Sequence, residues 1–119
     1  MAIQIDISHG ERVLGDKCAA KKILAMFIEQ LPGYIQEIKQ CRASENWLQL
    51  HESIHAFKGA TCYSSTPQLN IVAGELNSLL DRLDGESPSE NDTTRIDTLL
   101  EDLNSSSQKT LSESVEILS

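Results

Sequence analysis

Apolar residues three and four positions apart along most of the chain, β-branched alternation confined to Ile3 and Ile5, and capping or breaking residues between the periodic stretches predict an all-α protein. Four long antiparallel helices joined by short loops, preceded by a short additional N-terminal helix, make a four-helix bundle. At 119 residues there is chain for one core and too little for two, so residues 1–119 are read as a single domain.

Residues 1–7 read as an extended lead-in, with Ser8 as the N-cap of a short helix that runs to Leu14 and stops at Gly15. Asp16 can cap the next helix, in which Ala20, Ile23, Leu24, Phe27, Leu31, Ile35 and Ile38 carry the apolar stripe to Cys41. Pro32-Gly33 inside it predicts a kink or a split. Ser44 is the expected cap of a third helix, with Trp47, Leu50, Ile54, Phe57 and Thr61 on one buried face. The chain turns at Ser64-Ser65-Thr66, Pro67 takes the first helical position, and Leu69, Val72, Ala73, Leu76, Leu79 and Leu80 point inward. Asp84-Gly85 ends that helix, and residues 85–92 form a polar surface loop rather than a domain boundary, because neither side alone could bury a core. The last helix carries Ile96, Leu99, Leu100, Leu103, Leu111, Val115 and Leu118, weakened midway by Ser105-Ser106-Ser107.

Eighteen acidic against ten basic side chains give a formal net charge of -8, which argues against nucleic acid as a partner, since backbone phosphates call for clustered cations. No apolar run approaches the roughly 20 residues of a membrane span, and the first residues lack the blocks of a signal peptide. Cys18, Cys41 and Cys62 fit neither a disulfide framework nor C-x-x-C metal spacing, which points to a reducing, cytoplasmic setting with the thiols as small hydrophobes.

The stretch Leu50–Gly59, LHESIHAFKG, supports two chemistries that share His55. Read as His51-Glu52-Ser53-Ile54-His55 it is HExxH, two imidazoles one turn apart with a carboxylate beside them, the pattern of a zinc hydrolase. The remaining parts of such a site are poorly met: Lys58 and Thr61 stand where the extended pattern needs Gly and His, although Glu75 has the spacing of a downstream acidic ligand. Lys58 would also set a positive charge beside a dication.

Read as His55-Ala56-Phe57-Lys58-Gly59, the same stretch is an imidazole followed by a cation at i+3 and the smallest residue at i+4. Ile54 and Phe57 belong to the buried face, so His55 should point at water, with His51, Lys58, Gly59 and Cys62 on the adjoining stripe. A neutral imidazole is a competent nucleophile toward phosphorus, and a flexible ammonium one turn away can stabilise charge on the moving phosphoryl oxygens. Gly59 costs about 1 kcal/mol in mid-helix relative to Ala, and close approach of a partner's loop is a demand that would explain it.

HAFKGATCYSS followed by Pro67 resembles the histidine-containing phosphotransfer (HPt) pattern H-x-L-K-G, and looks closest to the terminal modules of BarA/GacS-type hybrid sensor kinases. Ile5-Asp6, the Leu14-Gly15-Asp16 turn, Phe27 through Leu31-Pro32, and Asn46-Trp47 also sit where that family places similar residues. The resemblance covers Ile5 to Leu83 well and the final helix by length and pattern. Phe57 replaces the usual leucine, and Ser65 replaces a turn glycine, which puts the geometry of that turn in doubt.

The resemblance implies that His55 is the phosphoacceptor and Lys58 the phosphate-orienting cation. Gly59, Ala56, Cys62 and His51 would then form the docking surface for a receiver domain, with Asn77 or nearby Gln68 supporting the site. It further implies transfer from the receiver aspartate of a hybrid kinase to a response-regulator aspartate, by a monomer that is either a free-standing cytoplasmic carrier or the cytoplasmic end of a membrane-bound sensor. No metal site is expected in this chain, Mg2+ being expected in the receiver's acidic pocket. The sequence also lacks a Gly-rich nucleotide loop, so no ATP site or autokinase activity is expected. Two alternatives remain at this stage: a helical adaptor that binds receivers without accepting phosphate, and the zinc hydrolase.

Overall fold

The computed structural model describes residues 4–118, which form five helices: α1 (Ile7–Leu14), α2 (Lys17–Ala43), α3 (Trp47–Thr61), α4 (Pro67–Leu83) and α5 (Glu90–Ile117). Helices α2 to α5 each pack on the next, α5 returns to α2 to close the bundle, and α1 lies against α2. The 28 residues of α5, at about 1.5 Å of rise each, account for the 43 Å long axis of a molecule 24 Å across.

The core is continuous from end to end. Phe27, Leu31 and Ile38 of α2 meet Leu50, Ile54 and Phe57 of α3, the inner face of α4 and Ile96, Leu99 and Leu103 of α5. At its middle the rings of Phe27, Tyr34 and Phe57 touch in tilted and edge-on pairs, with centroids 5.5–6.5 Å apart. Such pairing adds about 0.5–1.5 kcal/mol per pair to the area buried. All six inward positions expected of α4, Leu69, Val72, Ala73, Leu76, Leu79 and Leu80, are buried.

Several boundaries differ from the local expectation. The first N-cap is Asp6 rather than Ser8: its carboxylate accepts from the His9 amide at 3.1 Å, so α1 begins at Ile7 and shortens the lead-in. Ile3 lies outside the described residues. Ser44 closes α2 instead of opening α3, because its hydroxyl donates back to the Gln40 carbonyl at 2.9 Å. Glu45, at φ 55°, then reverses the chain, and the Asn46 side chain caps α3 by accepting from the Gln49 amide at 3.2 Å. The loop after α4 ends at Ser89, whose hydroxyl accepts from the Asp92 amide, so residues 90–92 are the first turn of α5 rather than loop.

Pro32-Gly33 does not split α2, which is assigned as one helix from Lys17 to Ala43. Both residues are exposed, on the side where the Ile28 carbonyl that proline leaves without a donor can be hydrated. The serine triad does not break α5 either, but the inward stripe beyond Leu103 departs from expectation. It runs through Ser107, Thr110 and Ser114, while Leu111 is half-buried and Val115 and Leu118 are exposed. Those polar positions simply continue the helical phase of Ile96, Leu99 and Leu103. Thr110 and Ser114 can be buried because their hydroxyls donate to the carbonyls of Ser106 and Leu111 within the same helix.

The N-terminal strap fastens both ends of the fold near the α3–α4 turn. The Glu113 carboxylate accepts from the amides of Gln4 and Ile5 at 3.0–3.1 Å, and the Asp6 amide donates to the Ser65 carbonyl at 2.8 Å. Ser65 itself holds φ 63°, the left-handed backbone a glycine would adopt freely. Gly10 of α1 packs directly over it, and a Cβ at position 10 would clash with the Ser65 hydroxyl oxygen.

Candidate functional site

Leu50, Ile54 and Phe57 are fully buried on the inner face of α3. The residues between and beyond these anchors turn away from the core: His55, Ala56 and Gly59 are exposed, while His51 and Lys58 are half-buried. His55 and His51, one turn apart, border a shallow depression of about 370 Å³ together with Glu52 and Asp81.

Helix α4 supplies the other wall. Asn70, Gly74, Asn77 and Asp81 recur at the spacing that keeps them on one helical stripe, and the contacts at both ends show that this stripe faces α3. At one end the Asn70 amide donates to the Thr61 hydroxyl at 3.0 Å and to the Lys58 carbonyl at 3.4 Å. At the other, Asp81 Oδ1 lies 3.2 Å from His51 Nε2. Gly74 stands against the Lys58 stem, whose Cε would be 3.9 Å from a Cβ at that position. Asn77 falls between Gly74 and Asp81, at the level of His55, and its buried Oδ1 has no hydrogen-bond partner among the described residues. Gln68, half-buried in the first turn of α4, lies off this stripe.

Lys58 is half-buried and faces a second groove, shared with Ser78, Glu75, Arg82 and Arg95. Its carbonyl accepts from Thr61, Cys62 and Asn70, which fixes the backbone from which the ammonium reaches out. Gly59 has no steric reason inside the molecule: a Cβ there would meet nothing within 4 Å among the described residues outside its own helix backbone. Cys62 is exposed at the next turn. It shares a depression with Val13 of α1 and Ile71 of α4, two exposed apolar side chains.

The HExxH reading lacks its further ligand. Among the described residues no group of three or more His, Cys, Asp or Glu side chains is placed to hold a metal ion. His51 is paired with Asp81, and Glu75 with Arg95 at 3.3 Å.

Sequence reasoning placed the α3 residues and missed most of the α4 wall, namely Asn70, Gly74 and Asp81, together with Ile71 and Val13. The 70/74/77/81 periodicity was present as a signal. What it could not reveal was which α4 face meets α3, since the register depends on the Ser64–Thr66 turn.

The Hpt domain family model matches residues 22–106, from early α2 to the middle of α5. That match starts later than the N-terminal likeness of Ile5-Asp6 and runs further into the final helix. No curated protein and no solved structure gave a significant match. No helix among the described residues is long and apolar enough to cross a membrane. A match over well over half the chain, on a bundle of the expected helical architecture, places this protein in the Hpt domain family, whose members take part in histidine phosphotransfer in phosphorelays and interact with receiver domains.

Proposed function

We propose that His55 is the phosphoacceptor of a phosphorelay, and that this chain carries a phosphoryl group from one receiver aspartate to another. The observation that carries the reading is the exposed imidazole on α3, flanked by Lys58 one turn on and by a glycine the fold does not need.

In this mechanism a receiver bearing an aspartyl phosphate docks over Ala56, Gly59 and Cys62, with the apolar side chains of Val13 and Ile71 widening the contact. The lone pair of neutral His55 Nε2 attacks phosphorus in line, the N–P bond forms as the acyl O–P bond breaks, and the receiver aspartate leaves as a carboxylate. Nδ1 keeps its proton throughout. Lys58, its stem lying along Gly74, offers its ammonium to the equatorial phosphoryl oxygens. Asn77 supports the ring from α4, and His51, held by Asp81, lines the rim. The reverse chemistry hands the group to the aspartate of a response regulator. Mg2+ belongs to the receiver's pocket in both steps, and the chain performs no ATP-dependent phosphorylation of its own.

The finer reading is that the module serves a hybrid sensor kinase of the BarA/GacS type as a monomer on the cytoplasmic side. The likeness of HAFKGATCYSS to the terminal modules of those kinases supports it.

The test is the His55→Gln variant, which should fold as the parent does, because the side chain is exposed. Incubated with a phosphorylated receiver it should take up no label. Labelling at the parental level would overturn the assignment, and receiver binding without any labelling of the parent chain would favour the adaptor reading.

A further inference from the structure

His51 is the half of the HExxH stretch that phosphoryl transfer leaves unused. It stands one helical turn before His55, the spacing that makes side chains neighbours, and the two border the same depression with Glu52 and Asp81. Among the described residues that lining holds two carboxylates and no lysine or arginine, since Lys58 faces the other groove. A phosphoryl group arriving at His55 carries negative charge, so each carboxylate beside it opposes the approach.

Asp81 is the carboxylate that a partner can restrain. Its side chain is 71 % exposed, and among the described residues its one side-chain partner is His51, whose Nε2 lies 3.2 Å from Oδ1. His51 is the better anchored of the two, with 23 % of its side chain exposed. A carboxylate released from His51 is free to turn into the depression that it shares with His55.

Resting on the assignment of His55 as phosphoacceptor, we propose that His51 is a positioning residue for transfer at that imidazole. It holds the Asp81 carboxylate beside position 51, one turn from His55, and offsets its charge, so that the incoming phosphoryl group meets one opposing carboxylate fewer. The ring acts through the positive end of its N–H dipole, or through a full charge when protonated, and takes no part in making or breaking the bonds to phosphorus.

The test is a double-variant cycle in the full chain, read as the initial rate of labelling at one fixed pH. A phosphorylated receiver and phosphoramidate serve as parallel donors, and circular dichroism checks that each variant is folded. His51→Ala should slow labelling by about three- to tenfold with both donors, because the repulsion acts on the phosphoryl group rather than on a docked protein. Asp81→Asn should label faster than the parent, and the double variant His51→Ala/Asp81→Asn should match Asp81→Asn. In about 1 M salt, where charges are screened within about 3 Å, the His51→Ala deficit with phosphoramidate should shrink.

A pair that only ties α3 to α4 would slow both single variants alike and give no rescue in the double one, which overturns the proposal. Equal rates in the parent and His51→Ala overturn it too, as does a deficit confined to the receiver donor. Should His51→Ala fold poorly, Asp81→Asn at its exposed position still decides, because a rate below the parent's contradicts the repulsion. Labelling that persists after His55→Gln would remove the phosphoacceptor assignment and this proposal together, whereas label confined to His55 without rescue by Asp81→Asn would remove the proposal alone.

Discussion

Replacing Gly59 by alanine separates what the fold needs from what a partner needs. Glycine in a helix interior is less favourable than alanine by about 0.8–1.0 kcal/mol, because the unfolded chain loses more conformational freedom on folding. Position 59 is exposed in the last turn of α3, and among the described residues outside its own helix backbone no atom lies within 4 Å of where a methyl group would stand, so the helix-interior difference sets the upper bound of the gain. For a domain of this size a gain of about 1 kcal/mol raises the melting temperature by about 4 °C. If the glycine serves receiver approach, the same methyl group should slow transfer from a phosphorylated receiver, and Gly59→Leu should slow it further. Phosphorylation of the imidazole by a small donor such as phosphoramidate needs no docked protein and should proceed at the parental rate. Thermal unfolding by circular dichroism, with the two donors assayed in parallel, reads all three quantities. A Gly59→Ala chain that is less stable than the parent would refute the steric argument. A Gly59→Leu chain that accepts phosphate from a receiver at full speed would refute the docking argument.

Lys58→Ala should slow transfer from the receiver while leaving His55 chemically modifiable, and an unchanged rate would show that the ammonium plays no part. Gly10→Ala should destabilise the fold by about 1–3 kcal/mol through overpacking against Ser65 and Ala20, with Ser65→Gly restoring much of the loss; urea unfolding of the two single variants and the double variant would expose an additive pair and so contradict the contact. Arg42 donates to Asp97 at 2.6 and 3.0 Å between α2 and α5, and that hydrogen bond holds the Asp97 carboxyl below its ordinary value of 3.8. A depressed folded-state pKa stabilises the fold above the unfolded value and loses that contribution as pH falls through the folded one. The pair is largely solvated, so Asp97→Asn should cost only about 0.2–1 kcal/mol at neutral pH, and the difference from the parent should shrink as the pH falls from 3.8 through the lowered folded value; a difference that grew on acidification would contradict the sign.

The bundle was legible because its inner positions are mostly apolar and recur at the helical period, as on α4, where every expected core residue is buried. Legibility failed where burial and polarity coincide. Ser107, Thr110 and Ser114 face inward on α5, and a reading that equates inside with apolar follows Leu111, Val115 and Leu118 round to solvent instead. Caps misled for a different reason: Asp6 and Ser8, or Ser44 and Asn46, lie two residues apart and are chemically equivalent as caps, so backbone context decides between them. The turn at Ser65 shows tertiary contacts overriding preference, since the Asp6–Ser65 hydrogen bond holds a serine in left-handed backbone. At the candidate site the exposure of His55 followed from its neighbours Ile54 and Phe57. The facing residues Asn70, Gly74 and Asp81 did not follow, because pairing across helices is not encoded in either helix alone.

The central claim is a phosphoryl group on one particular imidazole, and the chain offers three histidines, His9, His51 and His55. The parent protein, labelled by a phosphorylated receiver and digested under mildly alkaline conditions that preserve phosphoramidates, should yield one acid-labile phosphopeptide with the group on His55 Nε2. Phosphate mapped to His51, to His9 or to a carboxylate would contradict the account.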